Sequence, residues 1–318
     1  MTARGRPVSL RVGRRGQEVA TGTGVAAGRP ALPAVVRALR PLQWTKNAVV
    51  FAALVFDRKV FEVEPATRSL LAALVFCALS SGVYLVNDVR DAPSDRLHPT
   101  KRRRPVAAGE LTPRAALGIA GVLFGLAFVV AWLVRPEFVL VAVGYVALMV
   151  AYTVGLKRLV ILDVFAIAAG FVLRAAGGAI AIAVTISPWL LVCTMLLALL
   201  IGFGKRRHEL STIEDAVGHR ANLNAYTLPL LDQLLGTVAS ATVMAYSFYT
   251  FDASSVPRNH TMMLTIPFVT YAIFRYLYLI HRRDLGGSPE TLLFADRPLF
   301  FAILSWGLTS VAILYLAG

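Results

Sequence analysis

Charge is scarce in this sequence. Only 16% of its 318 residues are Asp, Glu, Lys or Arg, whereas soluble domains carry about a quarter. That excludes one large water-soluble core, because there is too little polar sequence to cover it. Acids are scarcer still, 18 against 32 bases, for a formal net charge of +14. The cysteines are two, Cys77 and Cys193, each inside an apolar run. This excludes a disulfide framework or a zinc cluster, and both residues read as small buried hydrophobes. Internal repeats are absent as well, which argues against a transporter built from duplicated halves and helices broken at the midplane.

Long apolar runs are what the chain has instead. Residues 69–86 and 119–134 hold no charged side chain, and mean hydropathy is +0.66. Runs of about twenty apolar residues cross membranes as helices. The expected fold is therefore an all-α integral membrane protein with nine transmembrane helices, near 40–57, 67–88, 113–134, 137–155, 160–184, 187–204, 228–251, 260–281 and 297–317. The first is interrupted by Gln43, Thr45, Lys46 and Asn47. Residues 1–33, rich in Arg, Gly, Thr, Pro and Ala, lack the apolar stretch of a signal peptide. They read as a disordered basic tail near anionic headgroups, ahead of a transmembrane catalytic domain over 34–318.

The bases supply an orientation. On this span count, 24 of the 32 lie on the N-terminal side and in alternate loops, 5 in the other loops and 3 within spans. Short cytoplasmic loops collect Lys and Arg. The N-terminus and the loops after spans two, four, six and eight are therefore expected in the cytoplasm of a multi-pass plasma membrane protein, and the C-terminus outside. Topology accounts for the positive charge, so nucleic acid is not an expected partner.

The polar stretch 87–105 concentrates the chemistry. Asn87, Asp91 and Asp95 are spaced by four, with Asp88 beside them. On a helix each step of four turns about 40° past a full turn, so the groups share a face. Pro93 cannot donate to Val89, which predicts that the helix ends near Asp91 and that a loop returns Asp95. Crowded carboxylates repel unless a cation neutralises them, and Mg²⁺ shared with substrate phosphates suits such a set. His98, Lys101, Arg102, Arg103 and Arg104 follow, either as topological charge or as phosphate ligands. Tyr152 and Lys157 flank the loop after span four. Asp163 and Arg174, eleven residues apart, share a helix face at about 16 Å along the axis. They are too far apart to pair, which predicts a shared polar cavity. Lys205, Arg206 and Arg207 precede Glu209, Glu214 and Asp215 and read as a second phosphate-binding corner.

The Asn-Asp-x-x-Asp-x-x-x-Asp pattern at 87–95, the nine spans and the polar loops after spans two, four and six resemble the UbiA-type membrane prenyltransferase superfamily over about residues 35–318. The usual second acidic pair of that superfamily is replaced by the bases at 205–207. One branch is more similar, the actinobacterial phosphoribosyltransferases that act on polyprenyl phosphates. The similarity rests on residues 40–47, 95–99, 101–105, 204–207 and 274–276. It implies a UbiA-type bundle with a cytoplasmic-side polar cavity. It also implies transfer of 5-phosphoribosyl from 5-phosphoribosyl 1-diphosphate to decaprenyl phosphate, with release of diphosphate, toward cell-wall arabinan. Asn87, Asp88, Asp91 and Asp95 would hold Mg²⁺, with Mn²⁺ able to replace it. Asp91, Asp95 and Lys157 are the implied catalytic residues. Lys101, Arg102, Arg104, Tyr152, Lys157, Asp163, Arg174, Lys205, Arg206 and Arg207 would surround the donor phosphates. Lys46 and Arg275 would take the lipid phosphate. An aromatic prenyltransferase using a polyprenyl diphosphate and a polyprenyl-phosphate transporter are the alternatives. Gly121/Gly125 and Gly177/Gly178 permit close helix packing within or between subunits, so a homo-oligomer stays open.

Overall fold

Long uncharged runs fold into long helices, and helices are the one open-ended structure that satisfies every backbone group in lipid. The computed structural model describes residues 33–185, 187–212, 223–253, 256–283, 287, 292 and 295–316. Apart from Pro33, the expected tail lies outside these residues, as do Glu214, Asp215 and Arg220. The order is α1 (Ala34–Leu39), a 3₁₀ segment (Pro41–Phe51) running into α2 (Ala52–Phe56), α3 (Val63–Leu97), α4 (Pro113–Val134), α5 (Pro136–Val154), α6 (Leu162–Ala181), α7 (Pro188–Thr212), α8 (Leu228–Asp252), α9 (Ile266–Arg283) and α10 (Arg297–Leu316). Among the described residues, eight helices, α3 to α10, are long and apolar enough to cross a membrane. The first expected span is instead the short 3₁₀ and α2 pair. Its polar residues Gln43, Thr45, Lys46 and Asn47 coincide with the 3₁₀ part.

Three helix starts are written locally. The Thr112 hydroxyl accepts from the Ala115 N–H ahead of α4, and Thr227 does the same for Leu230 ahead of α8. Asp296 accepts from Leu299 at the start of α10. Each satisfies an N–H that the helix leaves open, and Pro113 and Pro229 sit where a missing N–H costs nothing.

Helix α6 is the hub. It packs on α5, α7, α3 and the 3₁₀ segment. One apolar core lies on its α7–α8–α9 side, around Val164, Phe203, Leu231 and Leu279. Another lies on its α3–α5 side, around Phe76, Phe138 and Tyr145. Lipid tails are as apolar as these side chains, so the packing is held by close contact. Gly178 permits the closest approach: a Cβ there would sit 2.0 Å from the Val50 carbonyl oxygen of the 3₁₀ segment.

Helix α3 positions the polar stretch. Its 35 residues reach about 52 Å at helical rise, against a hydrocarbon layer of about 30 Å. The polar end therefore projects past the apolar layer. It also corrects an expectation, because the helix runs through Pro93 to Leu97. Pro93 removes one hydrogen bond at an exposed, polar helix end, where water can reach the freed carbonyl, and that is not enough to break the helix.

Candidate functional site

The acidic end of α3 is split between two environments. Asp88 and Asp95 are buried, at 1% and 4% exposure. Arg40 donates to Asp88. Arg104 donates from Nη1 to Asp95 at 2.6 Å and to Asp88 at 3.3 Å. The cations that neutralise these two carboxylates are thus guanidinium groups. Arg40 stacks on Tyr84, 4.8 Å from the ring centroid, and its own backbone is left-handed at φ 54°. Asn87 and Asp91 are half-buried on the adjoining part of the face. Asp91 faces the Lys157 ammonium at 4.0 Å. Lys101 is half-buried and Arg102 exposed in the loop between α3 and α4.

Among the described residues, no three His, Cys, Asp or Glu side chains form a metal cage. The set still fits a cation that arrives with phosphate. The buried Oδ2 of Asp88 has no hydrogen-bond partner, and Mg²⁺ is commonly held by one or two carboxylates together with substrate oxygens.

Lys157 rides on the turn between α5 and α6. Arg90 of α3 donates to the Thr153 carbonyl at 3.2 Å, tying the two helix ends together, and Tyr152 is half-buried beside it. At the far end of the turn Ile161 has φ 69° and ψ −49°. The Leu162 N–H donates to the Val160 carbonyl at 2.8 Å, closing a γ-turn of the rare, positive-φ kind. The Ile161 N–H donates to the Tyr226 hydroxyl at 2.6 Å, and that hydroxyl donates to Asp163 at 2.8 Å. Burial and the Asp163 hydrogen bond push the Tyr226 hydroxyl well above the usual tyrosine range, so it stays protonated and able to donate. The second Asp163 oxygen accepts from Arg206 at 2.7 Å, and Arg206 also donates to Glu209 at 2.6 Å.

This corrects the reading of Asp163 and Arg206 as donor-phosphate ligands. They are 0% and 2% exposed and bonded to each other. The cavity expected between Asp163 and Arg174 is also replaced by separate partners. Arg174 donates to Asn47 and to the Tyr145 hydroxyl, both at 2.7 Å, and lies over the Tyr145 and Phe171 rings. Neutral acceptors and ring faces thus take the donors of this buried cation.

The 3₁₀ segment has two faces because its side chains repeat every three residues. Trp44, Asn47 and Val50 point into the bundle: Trp44 donates to Ser81, Asn47 to Cys77, and Val50 rests on Gly178. Val49 and Ala52 face the other way and line an apolar cavity of about 430 Å³, together with Leu197, Ile201, Tyr246, Ile273, Tyr276 and Trp306. Lys46, three residues before Val49, is half-buried in the same 3₁₀ segment.

The other bases are dispersed. Lys205 is exposed. Arg207 donates to Asp232 at 2.6 Å and to the Ile280 carbonyl at 3.3 Å. Arg275 makes two hydrogen bonds to Asp296, at 3.1 and 2.8 Å, so its charge is held at the start of α10 rather than offered to a lipid phosphate. Sequence reasoning gave no role to Arg40, Tyr226 or Asp232. The signal for Asp232 was available, as a lone acid inside an apolar span.

The fold and this polar helix end define an integral membrane helix bundle with a carboxylate–guanidinium cluster at one helix end. Residues 48–314 match the UbiA prenyltransferase family, and the chain belongs to it. It is 35% identical over 277 residues to decaprenyl-phosphate phosphoribosyltransferase of Mycobacterium tuberculosis, covering 86% of this chain and 91% of that one. It is 34% identical over 289 residues to the protein of that name from Corynebacterium glutamicum, covering 89% and 87%. Among solved structures, a UbiA homolog from Archaeoglobus fulgidus bound to GPP and Mg²⁺ superposes with a TM-score of 0.68 at 18% identity, covering 89% of this chain and all of that one. That likeness bears on the fold alone.

Proposed function

We propose that this chain transfers the 5-phosphoribosyl group from 5-phosphoribosyl 1-diphosphate to decaprenyl phosphate. The observation that carries the reading is the pairing, in a chain a third identical to decaprenyl-phosphate phosphoribosyltransferases over nearly its whole length, of a carboxylate–guanidinium helix end with an apolar cavity lined by the segment that bears Lys46. A donor with two phosphorylated ends needs the first, and a polyprenyl chain needs the second.

The chemistry asks little of a general base. The acceptor phosphate is already anionic near neutrality, its second pKa being about 6. One of its oxygens forms the bond to the anomeric carbon as the bond to diphosphate breaks, and diphosphate leaves with the electron pair. The ribose passes through an oxocarbenium-like state, as in other glycosyl transfers. Asn87, Asp88, Asp91 and Asp95 would hold Mg²⁺, or Mn²⁺ in its place, which when bound neutralises charge on the leaving diphosphate. Arg104, Lys157, Lys101 and Arg102 would take the remaining phosphate oxygens, with Tyr152, Lys205 and Arg207 as further donors. Lys46, on the segment that lines the apolar cavity, would take the lipid phosphate.

Counting residues 41–56 as a ninth crossing keeps the base-rich loops on one side. That supports a cytoplasmic site in the plasma membrane, where a soluble phosphosugar is available, with residues 1–33 as a tail preceding the catalytic domain. The test is direct. Membranes containing the protein are incubated with radiolabelled phosphoribosyl diphosphate, decaprenyl phosphate and Mg²⁺, and label should enter the lipid phase. No transfer, together with activity on a prenyl diphosphate and an aromatic acid, would overturn the reading.

A further inference from the structure

The γ-turn at Ile161 is an odd feature in a helix connection. A β-branched residue at positive φ is a genuine outlier, and such a backbone persists only where its surroundings hold it. Here the holding groups are all buried: Tyr226 at 3% exposure, Asp163 at 0% and Arg206 at 2%. They form one chain of hydrogen bonds, from the Ile161 N–H through the Tyr226 hydroxyl and Asp163 to Arg206 and on to Glu209. The chain joins the α5–α6 turn to the end of α7 and to the segment before α8. The part of that turn that reaches the acidic end of α3 is Lys157, four residues before Ile161, with its ammonium 4.0 Å from Asp91.

We propose that Tyr226 is a positioning residue for Lys157. Through Asp163 and Arg206 it is anchored to the bundle, and through the Ile161 N–H it holds the strained turn that sets the height and direction of residues 156–160. The Lys157 ammonium is thereby held over the acidic end of α3, ready for a diphosphate oxygen. Without the phenolic hydroxyl the γ-turn loses the one contact to its central N–H, and the turn relaxes to an ordinary geometry that carries Lys157 away. Tyr226 and Asp163 touch no substrate in this scheme. The proposal rests on the phosphoribosyl transfer reading for its ligand but is separable from it, because inorganic diphosphate with Mg²⁺ is a sufficient probe.

The experiment is a double-mutant cycle on purified full-length protein, read as Mg²⁺-diphosphate binding by calorimetry up to millimolar ligand, so that weakened sites are still titrated. Tyr226→Phe should weaken binding about tenfold, the loss of one charge-assisted hydrogen bond. In a Lys157→Ala background the same substitution should cost nothing, because the group it positions is gone. Ile161→Gly, which lets the turn adopt positive φ without a clashing side chain, should recover part of the Tyr226→Phe loss. Equal losses in both backgrounds, no loss in either, or no recovery with glycine would overturn the proposal. If the cycle behaves as expected while the wild-type protein labels no lipid, the positioning role stands and the proposed transfer falls. If the wild-type protein binds no diphosphate, both fall.

Discussion

Replacing Arg206 by methionine is the sharpest test of the buried network. The stem of Arg206 is retained in volume, but two carboxylates lose their cation. Their environments differ. The Glu209 side chain is 22% exposed and can hydrate, whereas that of Asp163 is 0% exposed and keeps only the Tyr226 hydroxyl. The cost is therefore set by Asp163. Removing one partner of a buried ion pair costs about 3–5 kcal/mol, far more than the pair itself contributes. For a chain of this size that corresponds to a fall in Tm of about 5–8 °C, measured by thermal unfolding in detergent with a thiol-reactive dye reporting exposure of Cys77 and Cys193. The double variant Arg206→Met/Asp163→Asn removes the orphaned charge and should recover most of the loss, since the neutral amide can still accept from the Tyr226 hydroxyl and leaves no uncompensated charge buried. A fall below about 2 °C for the single variant, on the same scale, would refute the reasoning. So would a double variant no more stable than the single one, because the cost would then come from packing rather than from an uncompensated charge.

Three further outcomes follow from the geometry. Gly178→Ala should destabilise by about 1–3 kcal/mol, as overpacking does, because its Cβ would meet the Val50 carbonyl oxygen at 2.0 Å; a thermal melt reads it, and an unchanged melt would show that the 3₁₀ segment is not pressed on α6. Asp91→Asn should cut lipid labelling to below about 1% of wild type, the scale on which lost electrostatic stabilisation of a transition state acts, while the protein stays folded and membrane-inserted. Lys46→Ala should raise KM for decaprenyl phosphate and leave KM for the donor unchanged; the reverse split would move Lys46 to the donor end.

The hydrophobic layout was legible because it is one-dimensional. Runs of about twenty apolar residues fix helices, and α3 to α10 fall where those runs are. The segment 41–56, expected as the first span, was less so, since a 3₁₀ segment has a threefold repeat that helix-length windows average away. Its repeat is visible afterwards in Trp44, Asn47 and Val50, which all point inward. At the site, the four-residue spacing puts Asn87, Asp91 and Asp95 on one side of α3, with Asp88 beside them. The termination at Pro93 did not hold, because breaking a helix depends on how many hydrogen bonds are lost and whether the end is hydrated. Partner choice was the least legible. Asp163 and Arg206 are 43 residues apart, and Arg275 and Asp296 are 21 apart. Nothing in local spacing distinguishes a base that meets a substrate phosphate from one that meets a distant carboxylate, so Asp163, Arg206 and Arg275 were read as binding groups when the fold uses them as ties.

The same distinction sharpens the acidic end of α3. The three carboxylates near this end, Asp88, Asp91 and Asp95, would repel one another, and two of them do not, because Arg40 and Arg104 compensate Asp88 and Asp95. Arg104 uses a single nitrogen, Nη1, for both of its carboxylate contacts. Its side chain is 29% exposed, and a guanidinium carries five N–H donors in a planar fork suited to phosphate. Holding the acids and receiving a phosphate are therefore compatible roles for the same group. Asp91 has only the longer 4.0 Å approach of Lys157, which a cation or a phosphate oxygen can displace at little cost in partly exposed surroundings. The face thus has a compensated half that is stable when empty and an open half, Asn87 and Asp91 with Lys157, whose pairing is weak enough to be exchanged. That asymmetry is compatible with the proposed reaction: among the described residues there is no three-carboxylate cage, and the proposed donor would bring its own negative charge and, with it, the metal.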